Sequence, residues 1–148
     1  GVFIVGRNKE LFDSLPWAHL EDQCGGQGPL DGIATALNHA QSGIAFILAV
    51  DLFMVTKDDF DALYLAMNQS EADVVYAYSA DGTHIEENQP LCSAWRVSST
   101  SDIVNRSLVA GTRKVSDVVK GLRTMRVHVP FSHLANFNSP EDFSGLKS

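Results

Sequence analysis

Asp51 follows an apolar segment, Ala45–Val50, and its carboxylate is a candidate ligand for a divalent cation. Six consecutive apolar residues are typical of a central strand in a covered sheet, so the acid is expected at the carboxyl end of that strand. Ligands of open α/β sheets bind at this edge, where a carboxylate can hold the Mg²⁺ that bridges triphosphate oxygens. An aspartate that only caps the turn after the strand is the alternative.

A glycine-bounded turn, Gly28–Gly32, leads into a predicted helix. Pro29 suits the first helical position, because the N–H that proline lacks has no helical partner there. The free backbone amides at such a helix start can bind phosphate or the edge of a nucleobase. The spacing is neither a Walker motif nor a dinucleotide-binding fingerprint, and a loop with good stop and start residues also explains it.

Two more polar segments lie in the last third of the chain. Asn136 and Asn138 flank Phe137, and on extended backbone both amides would point to the same side, where one could coordinate a metal or contact a base. A helix N-cap is the alternative for these asparagines. Arg113 and Lys114 form a small basic turn, which is a candidate contact for phosphate or simply a solvated helix start.

The composition is that of a globular protein, with 45% hydrophobic and 20% charged residues over 148 positions, which predicts one domain. A net charge of −7 argues against a nucleic-acid partner. The run Ile44–Val50 is too short to cross a membrane, and Arg7 and Lys9 follow the first apolar residues, unlike the basic start of a signal peptide. Cys24 and Cys92 fit no zinc pattern and are expected as free thiols in the cytoplasm.

The elements that must position these residues alternate between strands and helices. Strands are predicted at Val2–Val5, His19–Glu21, Ala45–Val50, Asp73–Tyr78, Leu91–Val97 and Arg126–Val129. Helices are predicted at Lys9–Ser14, Pro29–Ala40, after Thr56, at Ser99–Val109 and Lys114–Leu122, and from Pro140. This order predicts a three-layer α/β/α sandwich with a Rossmann-like, mostly parallel sheet. Because the chain starts inside a predicted strand, we expect the natural protein to continue ahead of Gly1.

From about Val2 to Phe143, the chain resembles the molybdenum cofactor guanylyltransferase family. That family has an aspartate shortly before a Gly-Pro-Leu-Ala-Gly motif. Here Asp22 precedes Gly28–Gly32, with Asp31 in place of the alanine. Of the family's Cys-Asp-x-Pro strand end, this chain keeps the aspartate, Asp51.

Further matches to the family lie on either side of these motifs. The family's Gly-x-Arg-x-Val element is matched by Gly111–Val115, and its Asn-x-Asn-Thr-Pro-Glu-Asp segment is matched by Asn136–Asp142. Gly6 stands where the family often has Asn or Ser, and Asn8, two residues later, does match.

The resemblance implies an enzyme that transfers GMP from GTP to the terminal phosphate of molybdopterin cofactor, with Mg²⁺ as cofactor and pyrophosphate as leaving group. It implies that Asp51 holds the metal, that Asn138 lies close to the metal or the second substrate, and that Arg113 and Asn136 face the acceptor. The residues it assigns to the nucleotide pocket are Asn8, Asp22, Gly28, Pro29 and Leu30. It also implies a cytoplasmic protein with no membrane partner, and transient contact with proteins that assemble or receive the cofactor.

The family opens with a glycine-rich loop of the form Leu-Ala-Gly-Gly-x-Ser-x-Arg-Met-Gly-x-Asp-Lys, which these 148 residues do not contain. Its arginine and lysine offset charge on the reacting triphosphate, so we expect a single, N-terminally truncated domain that is inactive alone and active when complete. Two alternatives stay open: a cytidylyltransferase or sugar-phosphate nucleotidyltransferase of the same fold, and a non-catalytic domain that binds nucleotide or a partner.

Overall fold

The computed structural model describes residues 1–7, 9–11, 13–22, 25–26, 28–83 and 85–136. The strands in this part of the chain are β1 (Phe3–Val5), β2 (Ala18–Leu20), β3 (Ile44–Leu48), β4 (Val74–Ser79), β5 (Glu87–Arg96) and β6 (Thr124–His128). The α-helices are α1 (Pro29–Ala40), α2 (Lys57–Asn68), α3 (Val97–Val109) and α4 (Val115–Val119), and 3-10 turns lie at Lys9–Leu11 and Phe131–Leu134.

One compact unit comprises Gly1–Ala45 and Trp95–Arg123. Its strands β1 and β2 pair in parallel, and helix α1 packs on β1 and on α3. The apolar residues of α1 recur at helical spacing, which buries Leu30 and Leu37 completely against this unit's interior. The unit therefore holds the glycine-bounded turn at the start of α1 on a well-packed helix.

The second unit comprises Phe46–Ala94 and the described residues of Thr124–Ser148. Strands β4 and β6 pair in parallel from Val74 opposite Thr124 to Tyr78 opposite His128, and α2 packs on both strands. Helix α2 begins with a capping box, in which the Thr56 hydroxyl accepts the Asp59 N–H and the Asp59 carboxylate accepts the Thr56 N–H.

Strands β3, β5, β4 and β6 form a four-stranded sheet in that order, so within the described residues β3 lies at an end of the sheet. Its unbroken apolar run had predicted a central strand, and this was wrong for the described sheet. Phe46 and Leu48 are each 40% exposed. Val2, expected in a buried strand, precedes β1 and is 61% exposed. An apolar run thus indicated strands without indicating how well they are covered.

The predicted alternation of strands and helices is confirmed, and the two strand pairings of known direction are both parallel. Element ends differ from prediction: the expected helix at Lys9–Ser14 is a 3-10 turn, and β3 ends at Leu48, not Val50. The helix expected from Pro140 lies outside the described residues. None of the helices described here is long and apolar enough to span a membrane.

Candidate nucleotide site

Asp22 lies two residues after β2, beside the first turn of α1, and is half-buried. A Cβ atom on Gly32, in that first turn, would be 3.8 Å from Asp22 Oδ1. Burial raises the pKa of the Asp22 carboxyl, and the Asp31 carboxylate raises it further, while the positive charge of Arg7 and the His19 ring partly offset both. The acid that the sequence singled out is therefore half-buried and lies near other charged groups.

Asp31 makes a contact that the sequence alone did not predict. Its side chain is buried, and Oδ2 accepts the backbone N–H of Gly26 at 2.6 Å. The carbonyl group of Gly26 accepts a further hydrogen bond, from the Arg7 guanidinium. The sequence shows that Asp31 replaces the alanine of the family motif. It does not show that Gly26 is the hydrogen-bond partner of Asp31.

The turn at Gly28 brings together two segments that the sequence assigned to nucleotide and acceptor. Gly28 is the N-cap of α1, and its carbonyl accepts a hydrogen bond from the Asp31 N–H at 3.2 Å. Its φ of 134° is a backbone conformation that residues other than glycine rarely adopt. A Cβ atom at Gly28 would lie 3.8 Å from the Arg113 carbonyl oxygen. The backbone of Gly28 is therefore next to the basic turn.

Pro29 and Leu30 form the first turn of α1 and differ in exposure. Pro29 is exposed, whereas the Leu30 side chain is fully buried in the core. Any contribution of Leu30 to a pocket must therefore come from its backbone. Arg113 is exposed, and its Nη1 donates to the carbonyl oxygens of Leu108, at 3.2 Å, and Thr112, at 2.9 Å.

Asp51 belongs to the second unit and lies in a turn three residues beyond β3. The Leu52 N–H donates to the Ala49 carbonyl at 3.2 Å, and the buried Leu52 side chain anchors the turn while Asp51 is half-buried. Asn136, also in this unit, is exposed just after the 3-10 turn Phe131–Leu134. Asn8 and Asn138 lie outside the described residues.

No group of three or more acidic, histidine or cysteine side chains in the described residues is placed to hold a metal ion. This arrangement still fits Mg²⁺, because that ion is commonly held by one or two carboxylates together with substrate phosphates and waters. Asp51, a half-buried carboxylate on a turn, has the chemistry and the exposure that such a ligand requires.

Most of the described chain matches a known protein family. The family model "MobA-like NTP transferase domain" matches residues 1–125. The chain belongs to the MobA-like NTP transferase family. Strand β1, Asp22, the start of α1, the Asp51 turn and Arg113 all fall within the matched part of this MobA-like domain.

Several relatives carry the name "Probable molybdenum cofactor guanylyltransferase". The Mycobacterium bovis BCG protein is 30% identical over 142 residues, which cover 93% of this chain and 67% of that protein. The Clostridium perfringens protein is 26% identical over 114 residues, or 77% of this chain, and the chain spans only about half of its length, 54%.

Solved structures share the fold of this MobA-like domain. Molybdopterin-guanine dinucleotide biosynthesis protein A from Archaeoglobus fulgidus matches with a TM-score of 0.74 and 21% identity, over 97% of this chain and 75% of that one. The 2-C-methyl-D-erythritol 4-phosphate cytidylyltransferase from Francisella tularensis matches with a TM-score of 0.73 and 14% identity, over 97% and 77%. The predicted Rossmann-like nucleotidyltransferase fold is thus confirmed.

Proposed function

We propose that this MobA-like domain is the nucleotide-binding and catalytic part of a molybdenum cofactor guanylyltransferase. The observation that carries the proposal is the gathering of Asp22, Gly28 and Arg113 in one compact unit, with Gly28 against the Arg113 backbone. Two relatives with this activity in their names support the choice of substrates, GTP and molybdopterin cofactor.

The reaction is an in-line displacement at the α-phosphorus of GTP. An oxygen of the terminal phosphate of molybdopterin forms a new bond to that phosphorus, and the bond to the bridging oxygen of pyrophosphate breaks with its electron pair. Such a reaction depends on alignment and charge stabilisation more than on covalent chemistry by the protein. Asp22 and the helix start at Gly28–Leu30 bind and orient the nucleotide, while Arg113 and Asn136 bind the acceptor.

Asp51 would hold Mg²⁺, and Asn138 would act close to the metal or the second substrate. When bound, this ion neutralises charge on the phosphate oxygens and orients the leaving group. Transfer also needs cations such as the arginine and lysine of the family's glycine-rich loop, which residues 1–148 do not contain. We therefore expect nucleotide transfer from a protein that carries this loop and none from the 148 residues alone. The complete protein would act in the cytoplasm, in transient contact with proteins that make or receive the cofactor.

Calorimetry with Mg²⁺ and GTP tests the metal-binding role of Asp51 in the protein that carries the loop. Asp51→Ala should abolish Mg²⁺-dependent GTP binding while the circular dichroism spectrum stays unchanged. Asp58→Ala is the matched control, because Asp58 is an exposed acid at the start of α2 and should leave the affinity as it is. Equal affinity of the Asp51→Ala variant and the unmodified protein for Mg–GTP would refute the assignment.

A cytidylyltransferase of the same fold is the second candidate, and the TM-score of 0.73 to the Francisella enzyme favours keeping it. The two functions differ in the base that the nucleotide site at Asp22 binds. Guanylyl transfer requires a clear preference for GTP over CTP in competition binding, and the reverse preference would assign the domain to cytidylyl transfer.

A further inference from the structure

We propose that Asp31 and Arg7 are positioning residues for base recognition, which clamp the Gly26 backbone so that the Asp22 carboxylate faces the N–H donors of a bound guanine. This inference rests on the proposed function, since it concerns how the same nucleotide site selects its base. Asp31, Arg7 and the Gly26 backbone between them form a unit that we call the Gly26 clamp.

The Gly26 clamp holds a single residue by both of its polar backbone groups. The buried Asp31 carboxylate accepts the Gly26 N–H at 2.6 Å, and the Arg7 guanidinium donates to the Gly26 carbonyl. Arg7 follows β1 and Asp31 belongs to α1, so the loop residue is tied to two regular elements of the same unit. Hydrogen bonds to charged groups are stronger than those between neutral groups, which makes this restraint on the loop effective.

The restraint matters for Asp22 because two glycines, Gly26 and Gly32, lie beside its carboxylate. A Cβ atom at Gly26 would lie 2.9 Å from Asp22 Oδ2, and one at Gly32 would lie 3.8 Å from Oδ1. Gly26 also has a φ of +63°, which glycine adopts without the cost that a side chain brings. A shift of Gly26 would therefore change the space around both carboxylate oxygens of Asp22.

The hydrogen-bonding chemistry of guanine complements that of the Asp22 carboxylate. An ionised carboxylate only accepts hydrogen bonds, and guanine presents two adjacent donors, the N1–H and the 2-amino group. Inosine lacks the 2-amino group, and cytosine presents no equivalent donor pair. A carboxylate held in one orientation can receive both guanine donors, whereas a loosely held one loses this discrimination.

The charges around Asp22 act in opposite directions on the same acceptor. Asp31 carries a like charge, which raises the pKa of Asp22 and disfavours its ionisation. Arg7 and His19 lower that pKa. Arg7 thus has two roles, since it holds the Gly26 carbonyl and favours the ionised Asp22 that guanine needs. Removing the charge of Asp31 should make Asp22 easier to ionise, which separates the electrostatic part of the proposal from the positional part.

Binding of GTP and ITP, compared in the protein that carries the glycine-rich loop, tests selectivity. Asp31→Ala should reduce GTP affinity about tenfold and ITP affinity much less, because a single lost hydrogen bond to a charged group costs on the order of this factor. Asp117→Ala is the matched control, since Asp117 is an exposed first-turn acid of α4 in the same unit. A GTP-to-ITP preference left unchanged by Asp31→Ala in the folded protein would overturn the inference.

Nuclear magnetic resonance on the 148-residue chain tests the Gly26 clamp without any nucleotide. Asp31→Ala should accelerate hydrogen exchange of the Gly26 amide about tenfold or more, and Asp31→Asn should move the titration of the Asp22 carboxyl carbon to lower pH. If either observable stays at its original value, the clamp is not formed as described. If both change as expected and the protein prefers CTP, the clamp stands and the guanylyl assignment fails.

Discussion

The Oδ2 atom of Asp59 lies 2.9 Å from Nδ1 of His133, which ties the first turn of α2 to the 3-10 turn Phe131–Leu134. The same oxygen lies 2.8 Å from the Thr56 backbone nitrogen, which donates to it. The Asp59 side chain is only 8% exposed. Burial of a carboxylate without hydrogen-bond partners is unfavourable, and here the backbone N–H of Thr56 and the His133 ring supply such partners to Asp59.

Asp59→Ala should lower the free energy of unfolding by about 2–3 kcal/mol, because it removes the capping box and leaves His133 without its carboxylate partner. Thr56→Ala should cost about 1 kcal/mol, as expected for loss of an N-cap side chain. Urea denaturation followed by circular dichroism measures both. Asp58→Ala, at the neighbouring exposed acid, is the control, and an equal effect of Asp58→Ala and Asp59→Ala would contradict this role.

Local signals predicted the helices well and the long-range contacts poorly. Both ends of α1 and the Thr56 cap of α2 follow from proline, capping residues and helical spacing, which act within one turn of the chain. The Asp59–His133 contact joins residues 74 positions apart, and no periodicity records such a pairing. The exposure of β3 depends on which strands pair beside it, so its apolar run predicted a strand but not its place in the sheet.

For the candidate site too, the sequence predicted individual residues but missed a contact between them. Asp22, Gly28 and Asp51 are site predictions that rest on the resemblance of their motifs to those of a known family, and all three lie within the residues that the family model matches. The hydrogen bond from Gly26 to Asp31 was not found, because the sequence marks Asp31 only as a departure from the motif. The replacement of a motif alanine by Asp31, close in sequence to the Gly25–Gly26 pair, is the signal that could have indicated this hydrogen bond.

Asp22→Asn should stabilise the folded chain near neutral pH. The pKa of the Asp22 carboxyl is raised in the fold by burial and by Asp31, so the native state holds its proton more tightly than the unfolded state. Stability from this group is complete below the ordinary pKa of 3.8 and declines as the pH rises through the raised value. The gain in Asp22→Asn should be less than about 1 kcal/mol, because the carboxylate is only half-buried.

Denaturation midpoints of the Asp22→Asn variant and the unmodified chain, compared between pH 4 and pH 7, measure this effect. The difference between the two proteins should grow with pH in favour of the variant. A difference that is constant over this range, or that favours the unmodified chain at pH 7, would contradict the assignment of the shift to Asp22.

Cys92 should be almost unreactive in the folded chain. It is fully buried on β5, and burial, with a smaller contribution from the Asp59 carboxylate, raises the pKa of its thiol to about 12. At pH 8 the thiolate fraction is then about 10³-fold lower than for an ordinary thiol, so alkylation by iodoacetamide should slow at least as much. The Cys24→Ser variant isolates the signal of Cys92. Rapid labelling of this variant without urea would contradict the burial of Cys92.

Gly26→Ala should destabilise the chain more than Gly25→Ala, although both glycines have positive φ, +63° and +81° respectively. Each substitution lowers the free energy of unfolding by about 1 kcal/mol, because alanine disfavours a positive φ. At Gly25 an added Cβ meets no atom within 4 Å, whereas at Gly26 it collides with the Arg7 side chain and lies 2.9 Å from Asp22 Oδ2. The excess cost at Gly26 should therefore be less than about 1 kcal/mol, because the Arg7 and Asp22 atoms that the Cβ meets are the ends of side chains that can move aside, and urea denaturation of the two variants measures it. Because the excess arises from Arg7, Arg7→Ala introduced with Gly26→Ala should recover part of it. Equal destabilisation by the two single substitutions would mean that Arg7 and Asp22 do not enclose Gly26.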